Sequence, residues 1–94
     1  MSKRREIVEQ HLADAGIENA VFIDGHDDAL IGVAYQQYQG PYIVYDRQAI
    51  LEAVTEELDG DEESAIEFVE FNIDGAYVGT LTPLLLTRVE QMDD

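Results

Sequence analysis

A chain of 94 residues suits one domain with a modest core, and the absence of cysteine excludes a disulfide framework and a thiolate metal site. The 21 Asp and Glu against five Lys and Arg give a net charge of −16, which disfavours direct binding to nucleic acid or anionic membranes and favours basic partners. With 46% apolar residues, the chain is too hydrophobic for a disordered acidic protein.

The N-terminal residues 2–15 predict a helix. Their apolar side chains recur at helical spacing, Ser2 can cap the first turn, and Gly16 suits the position after a helix end. The cations Lys3, Arg4 and Arg5 lie where the helix dipole disfavours positive charge. We therefore expect either a frayed first turn or pairing of these cations with carboxylates elsewhere.

Three short β-prone runs predict a small antiparallel sheet: residues 20–23, 29–37 and 41–45. The Gly40-Pro41 turn between the last two runs indicates a hairpin. Tyrosines flank this hairpin and predict the cross-strand pairs Tyr35 with Tyr45 and Tyr38 with Tyr42, with at least two of the four packed in the structure.

Two consecutive helices are predicted over residues 47–58 and 62–74, capped by Asp46 and Asp61 and separated by Gly60. The second helix has apolar residues around most of its circumference, which predicts contacts on two sides and a homodimer. Residues 76–87 predict a short extended segment, a turn, and a final extended or helical piece, and residues 89–94 a frayed acidic tail. The expected fold is a single two-layer α+β domain over residues 1–94.

Three motifs carry a resemblance to a known family: Ala29-Leu30-Ile31-Gly32, then Tyr45-Asp46, then the stretch from Glu67 to Gly79 followed by Thr82-Pro83. Together they resemble a small family of tailed phages and prophages that carries an ALIG strand, a YD step into a helix and an EFFEFN-x-x-GA-x-VG-x-x-TP stretch. Val69 stands where that family often has an aromatic residue. The resemblance implies a viral or prophage origin, no assigned activity, and an N-terminal helix over residues 1–18 that extends the family pattern.

Acidic residues are densest between residues 56 and 63, where six carboxylates fall within eight residues. We call this set the acidic corner. The simpler interpretation is an exposed turn in which the carboxylates favour the start of the next helix. The alternative is that the carboxylates mimic the phosphates of a DNA duplex and occupy the DNA-binding groove of another protein. The acidic corner consists of Glu56, Glu57, Asp59, Asp61, Glu62 and Glu63.

Two further groups are weaker candidates. Asn72, Gly75, Tyr77 and Gly79 form the most distinctive stretch and predict a small-ligand site, although an Asn near a helix end more often satisfies a carbonyl of the neighbouring loop. The run from residue 24 to residue 28 contains metal-ligand side chains but has no Ca²⁺-loop spacing, so a solvated turn is favoured over a metal site or a metal-dependent hydrolase. Its candidate ligands are Asp24, His26, Asp27 and Asp28.

No nucleophile–base pattern and no nucleotide-binding motif occurs, so the sequence favours a non-enzymatic protein without a cofactor. The first hypothesis is an acidic phage-type accessory protein that binds a basic surface, such as that of a nucleic-acid-binding host protein. The second is a module that binds a small molecule such as a nucleotide signal. Adaptation to a salt-rich cytoplasm is an equal explanation for the acidity. The absence of a 20-residue apolar span and of a signal core predicts a cytoplasmic location, in the host cytoplasm for a viral protein.

Overall fold

The computed structural model of this chain describes residues 3–18, 20–23, 25–38, 40–74 and 82–92. Short 3-10 turns at Asp27–Ala29 and Val89–Gln91 lie before the first strand and after the last strand, and a π-helical turn, Glu70–Asp74, continues the third helix. The predicted α+β class and the small single domain are confirmed. In chain order the main elements are α1 (Lys3–Asp14), β1 (Leu30–Ala34), β2 (Tyr42–Asp46), α2 (Arg47–Glu57), α3 (Glu62–Val69) and β3 (Leu84–Leu86).

The sheet is mixed and has the strand order β1-β2-β3. The predicted hairpin is confirmed, because β1 and β2 pair in antiparallel fashion. The prediction of a wholly antiparallel sheet is wrong, because β3 lies parallel to β2. Residues 20–23 were expected as a strand but form none. A side chain holds this segment instead: the hydroxyl of Tyr45 accepts a hydrogen bond from the amide of Ile23 at 2.8 Å.

The hairpin register differs from the predicted tyrosine pairs. Tyr42 lies opposite Ala34 and Tyr45 lies opposite Leu30, so neither predicted tyrosine pair forms. An irregularity between Leu30 and Gly32 shifts only the last of these pairs, by one residue. Tyr35 lies beyond β1 and its hydroxyl is 2.6 Å from Nε2 of His11 on α1. The expectation that at least two tyrosines are packed is confirmed by Tyr42 and Tyr45, which are 7% and 0% exposed.

The core lies between the sheet and the three helices. Ile43 and Tyr45 of β2 are fully buried, as is Ile50 at the centre of α2. Each helix contributes two buried residues at helical spacing, and this is the arrangement that an amphipathic helix over a sheet requires. These residues are Val8 and Leu12 of α1, Ile50 and Val54 of α2, and Ala65 and Val69 of α3.

The N-terminal cations hold α1 against the start of β1. Nη1 of Arg4 donates to the carbonyl oxygens of Asp28 (2.7 Å) and Leu30 (3.2 Å). Nη1 of Arg5 lies 3.5 Å from Oδ1 of Asp27, and its guanidinium carbon lies 4.2 Å from the centre of the Phe22 ring. Arg5 thus makes the predicted pairing with carboxylates, whereas Arg4 bonds backbone carbonyls instead. Together with Val8 and Leu12, these contacts make α1 part of the packed domain.

Candidate functional site

The acidic corner is formed by the tight connection between α2 and α3. The α2 helix ends in a left-handed turn at Asp59 (φ 59°) and Gly60 (φ 86°), and the amide of Gly60 returns to the carbonyl of Thr55 at 2.8 Å. Glycine adopts this conformation without strain, and aspartate tolerates it better than most residues. The turn brings the last carboxylates of α2 and the first carboxylates of α3 to one end of the helix pair.

Asp61 begins α3 as its N-cap. Its Oδ1 accepts a hydrogen bond from the amide of Ser64 at 3.1 Å, and its Oδ2 accepts one from the Ser64 hydroxyl at 2.8 Å. These bonds, led by the one from the backbone amide, lower the pKa of Asp61 below its ordinary value of 3.8. Asp61 therefore keeps its charge to a lower pH than an unbonded carboxyl would.

All six predicted corner residues are brought together and are exposed. Elsewhere in the described chain, Arg5 pairs with Glu9 and Asp27, and Arg88 lies 3.7 Å from Asp46. No cation occurs in the sequence between Gln48 and Thr87, a stretch that holds the whole corner. The corner is therefore a run of six exposed carboxylates to which the neighbouring sequence contributes no cation.

A groove runs beside this corner along the α2–α3 interface and has a volume of about 320 Å³. Leu51 and Ile66 provide an apolar floor, and Glu52, Glu56 and Glu62 provide carboxylates. Apolar floors with charged rims suit Lys and Arg side chains, because their long aliphatic stems pack while their charged ends pair with carboxylates. The groove thus extends the corner from a charged turn into a shaped surface.

Asn72 is the one member of the predicted ligand stretch within the described residues; Gly75, Tyr77 and Gly79 lie outside them. Its side-chain amide donates to the carbonyl of Phe68 at 3.1 Å, one turn earlier in its own helical segment and not in the neighbouring loop that the sequence analysis favours. Asn72 and Ile73 also line an apolar cavity of about 200 Å³. The opposite walls come from residues 21–23 and from Thr82, Pro83 and Leu85.

The predicted metal-ligand run is only partly described, because Asp24 lies outside the described residues. Asp27 faces Arg5, Asp28 is exposed, and the carbonyl of His26 accepts the amide of Ala29 at 2.9 Å. Within the part of the chain that the structure describes, no group of three His, Asp or Glu side chains is placed to hold a metal ion. Asp27 acts there as a partner of a cation on α1.

The structure has two features that the sequence did not predict. His11 of α1 contacts Tyr35 edge to face, with the ring centres 6.3 Å apart. Arg4 and Arg88 line one groove between α1 and the sheet. The sequence does contain a hint of the second feature. Lys and Arg are rare in this chain, with five in total, so the position of each one is informative.

Comparison of the chain with protein-family models, with curated proteins and with solved structures finds no match. The resemblance to the phage family therefore stays a prediction. In the described residues, no helix has both the length and the apolar character needed to cross a membrane.

Proposed function

We propose that this protein is a non-enzymatic, acidic interaction protein that binds a basic protein surface through the acidic corner and the adjoining α2–α3 groove. The observation that carries the proposal is the concentration of six exposed carboxylates beside a groove with an apolar floor. A basic surface supplies both the charge and the aliphatic stems that this arrangement accommodates. Inhibition of a nucleic-acid-binding host protein by occupying its phosphate-binding groove is the form of this function that fits the charge best.

The phage-type origin and the cytoplasmic location belong to the same proposal. They rest on the family resemblance and on the composition of the chain. A nucleic-acid-binding host protein would be accessible to this protein in the cytoplasm. The predicted homodimer also stays a prediction. It is supported by Phe68 and Phe71 on one side of α3 and its π-helical extension, where they are 44% and 81% exposed.

The test begins with capture of host proteins on the immobilised chain at moderate and at high salt, followed by purification of the captured protein. Binding is then measured with a variant that neutralises the corner and preserves the Asp61 cap. A control variant has the same change in net charge at exposed carboxylates elsewhere. The corner variant carries Gln at Glu56, Glu57, Glu62 and Glu63, and the control carries Gln at Glu6, Glu18, Glu67 and Glu90.

We expect the corner variant to lose binding by at least tenfold and the control to change it by no more than about threefold, because charged contacts contribute mainly where they touch the partner. A fluorescent DNA duplex displaced from the purified partner by the wild type, and not by the corner variant, would support mimicry. Equal binding by both variants, with both folded by circular dichroism, would rule out the corner as the binding surface.

A small-ligand module is the second candidate, and the cavity beside Asn72 is the observation that favours it. An apolar cavity of about 150 Å³ accommodates benzene, so one of about 200 Å³ fits a small uncharged molecule better than a nucleotide. Binding of such a molecule should raise the melting temperature, and the stabilisation should grow with the logarithm of its concentration once that concentration exceeds Kd. This candidate would be ruled out by two results together. Small neutral aromatic molecules would leave the melting temperature unchanged, and the corner variant would no longer bind the captured partner.

A further inference from the structure

A groove of about 320 Å³ lies between α1, the start of β1 and the residues that follow β3. Two of its six lining residues are arginines, Arg4 and Arg88. The other four are aliphatic: Ile7, Val8, Leu30 and Ile31. The volume lies at the lower end of the range for small-molecule sites, which is about 300–1,000 Å³. In a chain of net charge −16, a groove with two cations and no lining carboxylate is a distinct chemical environment.

The two arginines are held in different ways. Arg4 is fixed through Nη1, which donates to the carbonyls of Asp28 and Leu30, and no carboxylate of the described residues pairs with it. Arg88 is 46% exposed, and its Nε lies 3.7 Å from Oδ2 of Asp46, which is longer than a hydrogen bond. The guanidinium of Arg4 is therefore held in place before a ligand binds. The guanidinium of Arg88 can turn toward an anion other than Asp46.

The aliphatic wall completes the site. Val8 and Leu30 belong to the buried core, so they give the groove a rigid floor. Ile7 and Ile31 are 62% and 40% exposed and form its open side. An aliphatic chain laid along this wall would remove exposed apolar surface from water, which is the main source of affinity for such ligands.

We propose that this groove binds a short aliphatic carboxylate, with the carboxylate between Arg4 and Arg88 and the chain along the isoleucine wall. Guanidinium groups suit this headgroup, because their planar N–H donors match the two carboxylate oxygens. The overall negative charge opposes an anion at low salt. At physiological ionic strength, charges beyond about 8 Å are largely screened, and the nearby Asp46 carboxylate offsets one of the two arginine charges and leaves the other for the ligand. This site is separate from the acidic corner and does not depend on the function proposed for it.

Sodium octanoate is the probe, since a groove of about 320 Å³ holds on the order of ten heavy atoms by comparison with cavities that bind benzene. The experiment titrates octanoate, hexanoate and 1-octanol into ¹⁵N-labelled protein and follows amide chemical shifts. We expect saturable shifts at Ile7, Leu30 and Arg88, and a Kd that falls by about fourfold for each added methylene. Octanol, which lacks the charge, should bind at least tenfold more weakly than octanoate.

Three variants separate this site from non-specific binding. Arg88→Gln removes one cation from an exposed side chain and should weaken octanoate by about tenfold. Lys3→Gln makes the same charge change on an exposed residue of α1 that does not line the groove, and should leave the Kd unchanged. Ile7→Asp places a negative charge on the open side, where 62% exposure allows the fold to persist, and should abolish binding.

Several outcomes would overturn the proposal: no saturable shift at millimolar octanoate, equal affinity for octanoate and octanol, or equal affinity of the Arg88→Gln and Lys3→Gln variants. Shifts confined to the cavity beside Asn72 would also overturn it, because they would place the ligand at the other apolar site. Loss of binding by Arg88→Gln and Ile7→Asp with retention by Lys3→Gln, all folded by circular dichroism, would establish the site.

Discussion

Replacement of Arg5 by Gln should destabilise the whole domain, even though Arg5 lies near the chain terminus. Oδ1 of Asp27 is buried and accepts no hydrogen bond from the described residues, and Nη1 of Arg5 lies 3.5 Å from it. The same guanidinium covers the ring of Phe22 at 4.2 Å. Arg5 thus links α1 both to the turn before β1 and to the segment that precedes that turn.

The size of the effect follows from these two contacts. A cation over an aromatic ring contributes about 1 kcal/mol when the cation is partly desolvated, and the Arg5 side chain is 29% exposed. An ion pair at this exposure contributes roughly 0.5–1 kcal/mol, and the buried oxygen left without a cation costs a similar amount. We therefore expect a loss of about 2 kcal/mol, which is a fall in melting temperature of roughly 10 °C for a domain of this size.

The assay is urea unfolding followed by circular dichroism for wild type, Arg5→Gln, Asp27→Asn and the double variant. The double-mutant cycle should give a coupling energy of about 1 kcal/mol between the two side chains. Lys3→Gln is the matched control: it removes one cation from the same helix turn and should change stability little, or raise it, because the helix dipole disfavours cations there. If Arg5→Gln matched the control, or if the coupling were zero, the anchoring role of Arg5 would be refuted.

Three further results are expected. Tyr45→Phe should cost about 1–2 kcal/mol in urea unfolding, because the partly buried amide of Ile23 loses its 2.8 Å acceptor, and an unchanged midpoint would contradict this. The pKa of Asp61 is lower in the folded than in the unfolded state, so its charge stabilises the fold above about pH 4 and this stabilisation is lost on acidification. The difference in unfolding free energy between wild type and Asp61→Ala should therefore narrow as the pH falls below 3.8. A difference that stays constant with pH would argue against this role of the Asp61 charge. The melting temperature should rise with NaCl concentration, because counter-ions screen the self-repulsion of a −16 chain, and a fall with salt would show that attractive pairs dominate.

Local signals predicted the helices well. Asp46 and Asp61 stand immediately before α2 and α3, and both cap their helices with hydrogen bonds to the following amides. The capping preference depends on a few neighbouring residues, so one sequence contains what is needed to find it. The acidic corner could be predicted for the same reason, since it joins two helix ends that are adjacent in the chain.

Long-range features could not be predicted in this way. The parallel pairing of β3 with β2 joins segments far apart in sequence, and three consecutive leucines carry no register signal. The register of β1 against β2 places Tyr45 opposite Leu30 and not opposite Tyr35, its expected partner. The groove between Arg4 and Arg88 depends on the same long-range pairing, because β3 is what carries Arg88 back to α1.

The acidity has two explanations: adaptation to a salt-rich cytoplasm and binding to a basic partner. The distribution of charge over the surface distinguishes them better than the net charge does. Salt adaptation accounts for many carboxylates and few lysines but does not require them to be segregated. Here no cation occurs from Gln48 to Thr87, whereas Arg4, Arg5 and Arg88 all contact the side of the domain where α1 meets the sheet. If net charge alone mattered, the corner and control variants would show the same salt response and the same partner binding. If location matters, their stabilities should respond alike to salt while only the corner variant loses its partner, because self-repulsion sums over the whole surface and binding does not.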